Sequence, residues 1–319
     1  SSLQVYCGED AASEMIRAHA KEGDLVLAAI VGFAGVSPVL AAIECGCDIA
    51  LANKECLVAA GDLIMSAAKK AGVRILPVDS EHSAIFQCIE HSQMKTVSKV
   101  VLTASGGSLR AMTKEQMEHA SVEKVLSHPT WNMGRKVTVD SASLMNKALE
   151  LIEAHWLFCI DSEQLDAVIH PQSIVHGFVE FSDGSVMAQM SQPDMKLPIQ
   201  YALTWPERAA GVSQSIDWEQ LGSLEFEPID RDRYPAIDLA HLVIGLGGTA
   251  GAVLNAANEV VVEAFLEQRL PFGSMGVIVE EVVAKSTITK QSEFNAVQTA
   301  DRDARLLATE IVASVGVNT

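Results

Sequence analysis

The chain has 319 residues and a net charge of −18 at pH 7, with 49% hydrophobic and 20% charged residues. This length and composition predict a globular protein of two or three domains with apolar cores. The negative charge argues against a nucleic-acid partner, because a phosphate backbone needs a basic surface. A few local cations can still hold a small phosphorylated substrate.

The sequence also bears on where the protein works. No run approaches the roughly 18 apolar residues of a membrane helix, and no pattern of a signal peptide is found, so we expect no membrane partner. None of the six cysteines belongs to a CxxC pair, which favours reduced thiols. We therefore expect a cytoplasmic location.

The first third of the chain alternates between strand and helix patterns. A short strand and a helix are predicted before residue 24. Strands are then predicted over 24–33, 47–53 and 73–79, and helices over 37–44, 55–71 and 83–90. This alternation indicates βαβ units and a parallel sheet, in which ligands bind beyond the carboxyl ends of the strands. Polar groups concentrate at two such ends, Asn53-Lys54-Glu55 and Asp79-Ser80-Glu81-His82.

In the rest of the chain, the spacing of apolar residues changes between strand-like and helix-like patterns. The predicted elements are a strand over 99–110 that runs into a Gly-Gly turn, a polar helical connection over 108–126, a strand from Lys136 to Val139, and a helix over 141–156. Residues 164–191 alternate like strands around a hairpin turn at Ser182-Asp183-Gly184, which predicts an antiparallel or mixed sheet with an exposed side. The proline-containing segment 205–235 is interpreted as a linker, and 236–315 as helical. The glycine-rich 245–251 follows no adequate strand and is interpreted as a helix–helix turn.

The stretch from His128 to Glu150 is the most informative motif. At the predicted strand–helix junction it sets Ser141, Asn146, Lys147 and Glu150. Backbone N–H groups at a helix N-terminus have no intrahelical partner, and the helix dipole favours an anion. Because Glu150 lies one turn after Asn146 and Lys147, the three can face one cavity. The pattern predicts a phosphate site close to a metal.

Asp79 and Glu81 flank Ser80 just beyond a buried strand. In an extended conformation they would point to the same side. With Glu150 they would form a site of three carboxylates that suits Mg²⁺ or Mn²⁺. The alternative is an ordinary helix start, with Asp79 or Ser80 as the cap and Glu81 in the first turn.

Other candidates keep two interpretations. Lys54 steers a substrate oxyanion or simply begins a capped helix. His128 precedes Pro129, which places it in a loop, where binding residues concentrate. Trp131 and Met133 in that loop indicate a lid, the alternative being a Trp packed into a nearby core. His176 alternates with His170 along a strand and is either structural or close to the site.

Taken together, long motifs over essentially the whole chain resemble the 1-deoxy-D-xylulose 5-phosphate reductoisomerase family. The matching strings are LANKECLV, LPVDSEHSAIFQ, LTASGG, HPTWNMGRKVTVDSASLMNKALELIEAHWLF, IHPQSIVHGFVEFSDGSVMAQ, QPDMKLPI and AVLNAANE. The resemblance implies conversion of 1-deoxy-D-xylulose 5-phosphate and NADPH to 2-C-methyl-D-erythritol 4-phosphate, in the non-mevalonate route to isoprenoids. It implies a divalent metal, Mg²⁺ or Mn²⁺ with Co²⁺ as a further candidate, and a bacterial-type cytoplasmic enzyme, with a plastid as the alternative location.

The resemblance also implies residue roles. Asp79, Glu81 and Glu150 would hold the metal, and Lys54, Glu81, His128 and Glu150 would be catalytic. The substrate would contact Lys54, Ser80, Glu81, Ser105, His128, Ser141, Asn146, Lys147 and Glu150, with Ser105, Ser141, Asn146 and Lys147 around its phosphate. Asn53, Glu55 and Gly134 match cofactor-contacting positions, Trp131 and Met133 match the lid, and His176 is a further position near the site.

One departure from the family affects the expected domains. The family's glycine-rich nucleotide-binding turn, similar to GxTGSIG, is absent from these 319 residues, as is GxGxxG. The expected fold is α/β, with a truncated Rossmann-like parallel-sheet domain, a central α+β domain and a helical domain. The boundaries are 1–79 for the remainder of the NADPH-binding domain, 80–204 for the catalytic and connective domain, 205–235 for the linker and 236–319 for the helical domain. We expect this chain alone to bind NADPH poorly and to be inactive or nearly so, and we expect a homodimer through the central sheet.

Two other functions stay open at this point. A metal-dependent sugar-phosphate aldolase or isomerase without redox chemistry would explain the missing fingerprint, and would form product without NADPH. A non-catalytic phosphate-sensing protein would keep its function when Glu150 is replaced by Gln.

Overall fold

The computed structural model describes residues 4–90, 94–290 and 293–316, and it begins with a three-stranded parallel sheet. The strands are β1 (Leu25–Ala28), β2 (Asp48–Leu51) and β3 (Ile75–Pro77), in the order β1-β2-β3. The helices of this region are α1 (Ala11–His19), α2 (Val36–Glu44), α3 (Lys54–Ala71) and α4 (Ser80–Ile89). The predicted βαβ alternation and parallel sheet are confirmed.

Two predictions in this region need correction. The strand predicted over 24–33 ends at Ala28, and the chain then turns at Gly32, whose φ of +73° suits glycine. The apolar run continued past the strand because apolar residues also occupy this turn, where Ile30 and Val31 are exposed. The short strand predicted at the N-terminus is also wrong for residues 4–7, and residues 1–3 lie outside the described part of the chain.

A second sheet of four strands contains both parallel and antiparallel pairs. The strands are β4 (Val97–Ala104), β5 (Leu165–Ile169), β6 (Val175–Phe181) and β7 (Val186–Met190), in the order β5-β4-β6-β7. The β4–β5 pair is parallel and the other two are antiparallel. Ser182-Asp183-Gly184 forms the predicted hairpin turn, with Gly184 at a φ of +85°. The mixed sheet is confirmed, and β7 is its exposed edge, with Val186 and Met187 open to solvent.

The segment before Glu150 differs from its prediction. Residues 136–139 are not a strand, because they lie within a helix, α7 (Arg135–Ser143), which a left-handed Leu144 joins to α8 (Met145–Phe158). The alternating Lys-Val-Thr-Val pattern is typical of a strand, but Lys136 pairs with Asp140 one helical turn away and the Thr138 hydroxyl bonds the Gly134 carbonyl. Burial between neighbouring helices overrides the weak strand propensity of these residues.

Helices α3 and α8 pack closely enough to bring their polar ends together. A Cβ atom on Gly61 of α3 would lie 2.2 Å from the Trp156 ring of α8, so only glycine permits this approach. Both helices contribute apolar side chains to one buried core, among them Val58 of α3 and Ile152 of α8. This packing holds the start of α3 beside the first half of α8.

The remaining elements are helical. They are α5 (Lys114–Glu118), α6 (Val122–Leu126), α9 (Lys196–Thr204), α10 (Ala236–Leu246), α11 (Ala250–Leu266), α12 (Phe272–Lys285) and α13 (Phe294–Gly316). The segment 205–235 contains no helix or strand, apart from one bridge between Glu227 and Ile169. The glycine-rich 245–251 contains the predicted turn between two helices, although only residues 247–249 lie outside α10 and α11.

The predicted fold class is confirmed: a parallel α/β sheet region, a central α+β region and a C-terminal helical region. All six cysteines are free. Within the described ranges, no helix combines the length and the apolar character that crossing a membrane requires.

Candidate active site

A cavity of about 330 Å³ lies where the ends of the parallel strands meet α8 and the mixed sheet. Most of the candidate residues from the sequence line it: Lys54, Asp79, Ser80, Glu81, Ser105, His128, Trp131, Met133, Ser141, Asn146, Lys147, Glu150 and His176. Asn53, Glu55 and Gly134 do not. The fold thus brings together residues that are up to 122 positions apart, from Lys54 to His176.

The parallel sheet supplies one side of the cavity. The chain leaves β2 into α3, which begins at Lys54, and leaves β3 into α4, which begins at Ser80. Asn53 caps α3 by accepting a hydrogen bond from the Cys56 amide, so Lys54 both begins a capped helix and faces the cavity. The two interpretations of Lys54 are therefore compatible.

Asp79, Glu81 and Glu150 offer carboxylate oxygens that all lie within 4.8 Å of one another. Asp79 and Glu81 converge across the start of α4, and not along an extended strand as the sequence argument assumed. Asp79 occupies the cap position, but its side chain makes no capping hydrogen bond. It turns to Lys54 instead, so the geometry favours the site over the simple cap.

Two buried lysines neutralise these carboxylates. Lys54 Nζ lies 2.7 Å from Glu150 Oε1 and also pairs with Asp79, and it donates to Asn146 Oδ1 at 3.0 Å. Lys147 Nζ lies 2.7 Å from Glu81 Oε1 and pairs with the second oxygen of Glu150. Glu150, with a side chain only 1% exposed, therefore accepts from both lysines and from the Asn146 amide.

The same contacts set the protonation of the cluster. Burial by itself raises the pKa of Asp79, but the adjacent Lys54 ammonium outweighs it and holds that pKa well below its usual range. Burial lowers the pKa of Lys54, yet Asp79 and Glu150 more than compensate and keep it above its usual value. Burial and the neighbouring Glu150 carboxylate raise the pKa of Glu81 to about 7. Glu81 thus holds its proton more readily than Asp79.

His82 and Glu153 support this cluster from behind, and the sequence argument gave them no role. The fully buried His82 ring lies with Nε2 2.8 Å from the Glu150 carbonyl oxygen, and with Nδ1 3.4 Å from Glu153 Oε2 and 3.9 Å from Asp79 Oδ1. The signal was available in the helical spacing, since His82 follows Asp79 by three residues and Glu153 follows Glu150 by three.

Ser105 and His128 form a neutral pair on the opposite side. His128 Nδ1 accepts hydrogen bonds from the Thr130 and Trp131 amides at 3.1 and 2.9 Å, which leaves the ring proton on Nε2. Nε2 then donates to Ser105 Oγ at 2.9 Å. Burial lowers the pKa of His128, which agrees with a neutral ring.

A glycine turn brings Ser105 next to Ser141. A Cβ atom on Gly107 would lie 2.5 Å from the Ser141 carbonyl oxygen, so the turn after β4 packs directly on α7. Ser141 belongs to the last turns of α7, and not to the start of the next helix as predicted. Only Asn146 and Lys147 lie in the first turn of α8, so the proposed anion site draws on two helices and one turn.

The loop before α7 lines part of the cavity. Trp131 is half-buried, lines the cavity and places its ring 6.4 Å from the His176 ring at an angle of 60°. His176 lies on β6 and bonds Ser191 through Nε2 at 2.9 Å, and burial lowers its pKa to about 4. The Trp faces the cavity, as a lid does, and is not packed into a separate core.

The three candidate cofactor positions lie at the starts of two helices. Asn53 and Glu55 lie at the start of α3, and Gly134 at the start of α7. Asn53 donates to the Gly32 carbonyl at 2.9 Å, which ties the end of β2 to the turn after β1. Glu55 is buried and pairs with Lys136 at 2.8 Å. Gly134 is exposed at the cap of α7, immediately after the loop that carries Trp131 and Met133. These positions lie beyond the carboxyl ends of the parallel strands.

Comparisons with known proteins agree with this arrangement. A family model described as 1-deoxy-D-xylulose 5-phosphate reductoisomerase matches residues 1–61, and two models described as C-terminal domains of that enzyme match residues 75–158 and 190–307. The enzyme of this name from Pelotomaculum thermopropionicum is 51% identical over 291 residues, 91% of this chain and 75% of that protein. The one from Rhizobium etli is 48% identical over 313 residues, 98% of this chain and 78% of its own length.

Solved structures give the same result. The reductoisomerase from Zymomonas mobilis in complex with NADPH superposes with a TM-score of 0.90 at 41% identity, covering 98% of this chain and 80% of the other. A DOX-P reductoisomerase in complex with NADPH, fosmidomycin and magnesium gives a TM-score of 0.87 at 41% identity, covering 96% and 78%. The chain belongs to the 1-deoxy-D-xylulose 5-phosphate reductoisomerase family.

Proposed function

We propose that the cavity is the site at which 1-deoxy-D-xylulose 5-phosphate is converted to 2-C-methyl-D-erythritol 4-phosphate with NADPH and a divalent metal. The observation that carries the proposal is the convergence of three carboxylates, two lysines and a neutral Ser–His pair on one cavity. The relatives bear the name of this activity, and solved members of the family contain NADPH and magnesium.

The carboxylate donor set fits a hard divalent cation. Asp79, Glu81 and Glu150 present only oxygen atoms, close enough to share one ion, which suits Mg²⁺ or Mn²⁺ and admits Co²⁺. When bound, such an ion polarises a carbonyl oxygen and stabilises developing negative charge. Lys54 and Lys147 neutralise the carboxylates in the structure, so their ammonium groups must shift when the ion takes these oxygens.

The turn after β4, the end of α7 and the start of α8 together fit the substrate phosphate. Ser105 and Ser141 supply hydroxyl donors, and Asn146 and Lys147 supply an amide and a cation at the start of α8. Binding energy from the phosphate would orient the reacting end of the substrate at the carboxylates.

The remaining residues would donate hydrogen bonds, stabilise negative charge and exclude water. His128 carries its proton on Nε2 and can donate it as a hydrogen bond to a substrate oxygen, while its Nδ1 stays occupied by two backbone amides. Lys54, with its raised pKa, keeps its charge and can stabilise an oxyanion. Trp131 and Met133 would close over the substrate and exclude water.

The cofactor would enter from the ends of the parallel strands, beside Asn53, Glu55 and Gly134. These strand ends are where dinucleotides bind in α/β sheets. The close approach of Asn53 to Gly32 gives the backbone there a defined shape. That these 319 residues bind NADPH poorly and turn over little by themselves stays a prediction.

Three further assignments are part of this proposal. The chain would form a homodimer through the exposed β7 edge, where Val186 and Met187 are open to solvent. It would work in the cytoplasm, a plastid being the alternative. The division at 79/80, 204/205 and 235/236 into cofactor, catalytic, linker and helical segments is proposed on the sequence pattern. Light scattering tests the dimer.

The central test measures binding and turnover separately. Calorimetric titration of the purified chain with Mn²⁺, with the sugar phosphate and with NADPH measures each affinity, and mass spectrometry identifies products. We expect Mn²⁺ and the sugar phosphate to bind, and any product to be the methylerythritol phosphate, formed with equal loss of NADPH absorbance. Product without NADPH oxidation would indicate the redox-free isomerase instead. Failure of both Mn²⁺ and substrate to bind would overturn the proposal.

A further inference from the structure

A chain of buried polar contacts leads from the start of α3 to the C-terminal helices. Glu55 Oε1 lies 2.8 Å from Lys136 Nζ, and the same ammonium lies 3.0 Å from Asp140 Oδ2. The other oxygen of Asp140 accepts a hydrogen bond from Asn258 Nδ2 at 2.9 Å. We call Glu55, Lys136, Asp140 and Asn258 the α3–α7–α11 relay, after the three helices that contribute them.

The relay is buried along most of its length. Glu55 is 6% exposed, and Asp140 and Asn258 are each 1% exposed. Burial lowers the pKa of Lys136, but Asp140 and Glu55 outweigh it and raise that pKa above its usual range. Buried charges are tolerated only when their partners stay in place, so this set of contacts fixes the mutual positions of the three helices.

The relay contacts the starts of two helices that border the cavity, α3 and α7. Glu55 follows Lys54 in the first turn of α3, and Lys136 lies in the first turn of α7, directly after the lid loop. Neither Lys136, Asp140 nor Asn258 lines the cavity, so the relay acts from outside the substrate space. A shift of α11 would therefore reach Lys54 and the lid through these contacts.

A second contact links α11 to the same region. A Cβ atom on Gly32 would lie 2.8 Å from Glu259 Oε1, so the turn after β1 packs against the residue that follows Asn258. Gly32 is itself tied to Asn53. The helix α11 thus contacts α7 through Asn258 and the turn after β1 through Glu259. These two segments lie next to the proposed cofactor positions.

We propose that Lys136, Asp140 and Asn258 are positioning residues that use the C-terminal helices to fix the cofactor-facing wall of the site. Their action is indirect: Lys136 holds Glu55, Asp140 holds Lys136, and Asn258 anchors Asp140 to α11. The inference rests on the proposed function, because Glu55 is assigned there to the cofactor.

The test removes the anchor without changing any charge of the site. Asn258→Leu deletes the donor to Asp140 on α11. Val261→Ala, at a fully buried position of the same helix, is the matched control for lost stability outside the relay. Three quantities are measured: amide hydrogen exchange over residues 54–58 and 128–143 without ligands, the affinity for NADPH, and the affinity for Mn²⁺.

We expect Asn258→Leu to raise exchange in these segments and to weaken NADPH binding, each about tenfold, as loss of one buried hydrogen bond to a charged group implies. Mn²⁺ affinity should stay within about twofold of the parent, because Asp79, Glu81 and Glu150 are not in the relay, a split that general destabilisation would not produce. Val261→Ala should leave exchange in the two segments unchanged.

Equal exchange in the two variants, or exchange unchanged in Asn258→Leu, would overturn the proposal. Should Asn258→Leu fail to fold, Asp140→Asn, which keeps the shape of the side chain, is tested against the same outcomes. If the parent chain binds NADPH too weakly to measure, in line with the expectation for these 319 residues, the exchange measurement alone decides whether the relay positions α3 and the lid loop.

Discussion

The polar groups on the two walls of the cavity are held by different kinds of contact. The charged wall consists of Lys54, Asp79, Glu81, Lys147 and Glu150, whose side chains are between 1% and 17% exposed and pair with one another. The neutral wall consists of Ser105, His128, Trp131, Ser141 and His176, and all of these except Ser141 are joined by hydroxyl or ring contacts.

The difference has an energetic consequence. In the charged wall, three carboxylates share two ammonium groups, so removal of an ammonium leaves buried carboxylates unpaired, and removal of Glu150 breaks a contact to each lysine. In the neutral wall, each hydrogen bond contributes about 1 kcal/mol and a lost partner is replaced more easily. Substitutions should therefore be severe and non-additive on the charged wall, and moderate and nearly additive on the neutral wall.

The largest effect should come from Glu150→Gln. Glu150 is the carboxylate that both lysines and Asn146 share, so its neutralisation removes a metal ligand and leaves Lys54 and Lys147 with one carboxylate fewer. We expect metal affinity and turnover to fall on the order of a thousandfold, about 4 kcal/mol. Mn²⁺ titration and product formation measure this.

The control for this change is Glu281→Gln, which removes an exposed ion pair to Lys285 on α12. It should alter neither quantity, because an exposed pair contributes about 0–1 kcal/mol to stability. If the Glu150→Gln variant still bound Mn²⁺ with the affinity of the parent, Glu150 would not be a metal ligand.

His176→Gln should change how stability depends on pH. Burial, with a smaller contribution from Lys147, lowers the pKa of His176 from 6.5 to about 4. Because the folded pKa lies below the unfolded one, protonation favours the unfolded chain, and stability is lost as pH falls from about 6.5 to about 4. The difference corresponds to about 3 kcal/mol.

Denaturant unfolding of the parent and of His176→Gln at several pH values tests this expectation. The free energy of unfolding of the parent should fall by about 3 kcal/mol more than that of the variant between pH 6.5 and 4. Parallel curves for the two proteins would mean that the ring stays accessible to protons, and the neutral wall would then be more open than the structure implies.

The two walls also differ in how far the sequence predicted them. Lys54 and Asp79 were found because the carboxyl ends of parallel strands lie at one edge of a sheet, which follows from a local pattern. The strand predicted over 136–139 was wrong because its alternation is equally compatible with a helix once Asp140 pairs with Lys136 and neighbouring helices bury the segment.

The supporting contacts were beyond such reasoning. His82 bonds the carbonyl of Glu150 across 68 residues, and Asn258 bonds Asp140 across 118. No periodicity encodes which distant side chain will face a buried group, because the packing of whole helices decides it. The residues of the cavity wall could therefore be predicted, whereas the contacts that hold the wall in place required the structure.

The smallest predicted effect, from Ser105→Ala, tests the neutral wall directly. Ser105 Oγ accepts from His128 Nε2 and from the Gly107 amide, so its own hydrogen is free to donate to a phosphate oxygen. We expect substrate affinity to fall about tenfold, the contribution of one hydrogen bond to a charged group, while Mn²⁺ affinity stays unchanged. Ser108→Ala is the matched control, since Ser108 donates to the Val125 carbonyl and does not line the cavity.

A double variant with Ser105→Ala and Ser141→Ala then tests whether substitutions on the neutral wall are additive. If the neutral wall is a set of independent hydrogen bonds, the losses of binding free energy in the double variant should add to within about 0.5 kcal/mol. The same cycle with Glu150→Gln and Lys147→Met should be strongly non-additive, since the two side chains form a buried ion pair with each other. Equal additivity in the two cycles would mean that the two walls do not differ in the way their contacts indicate.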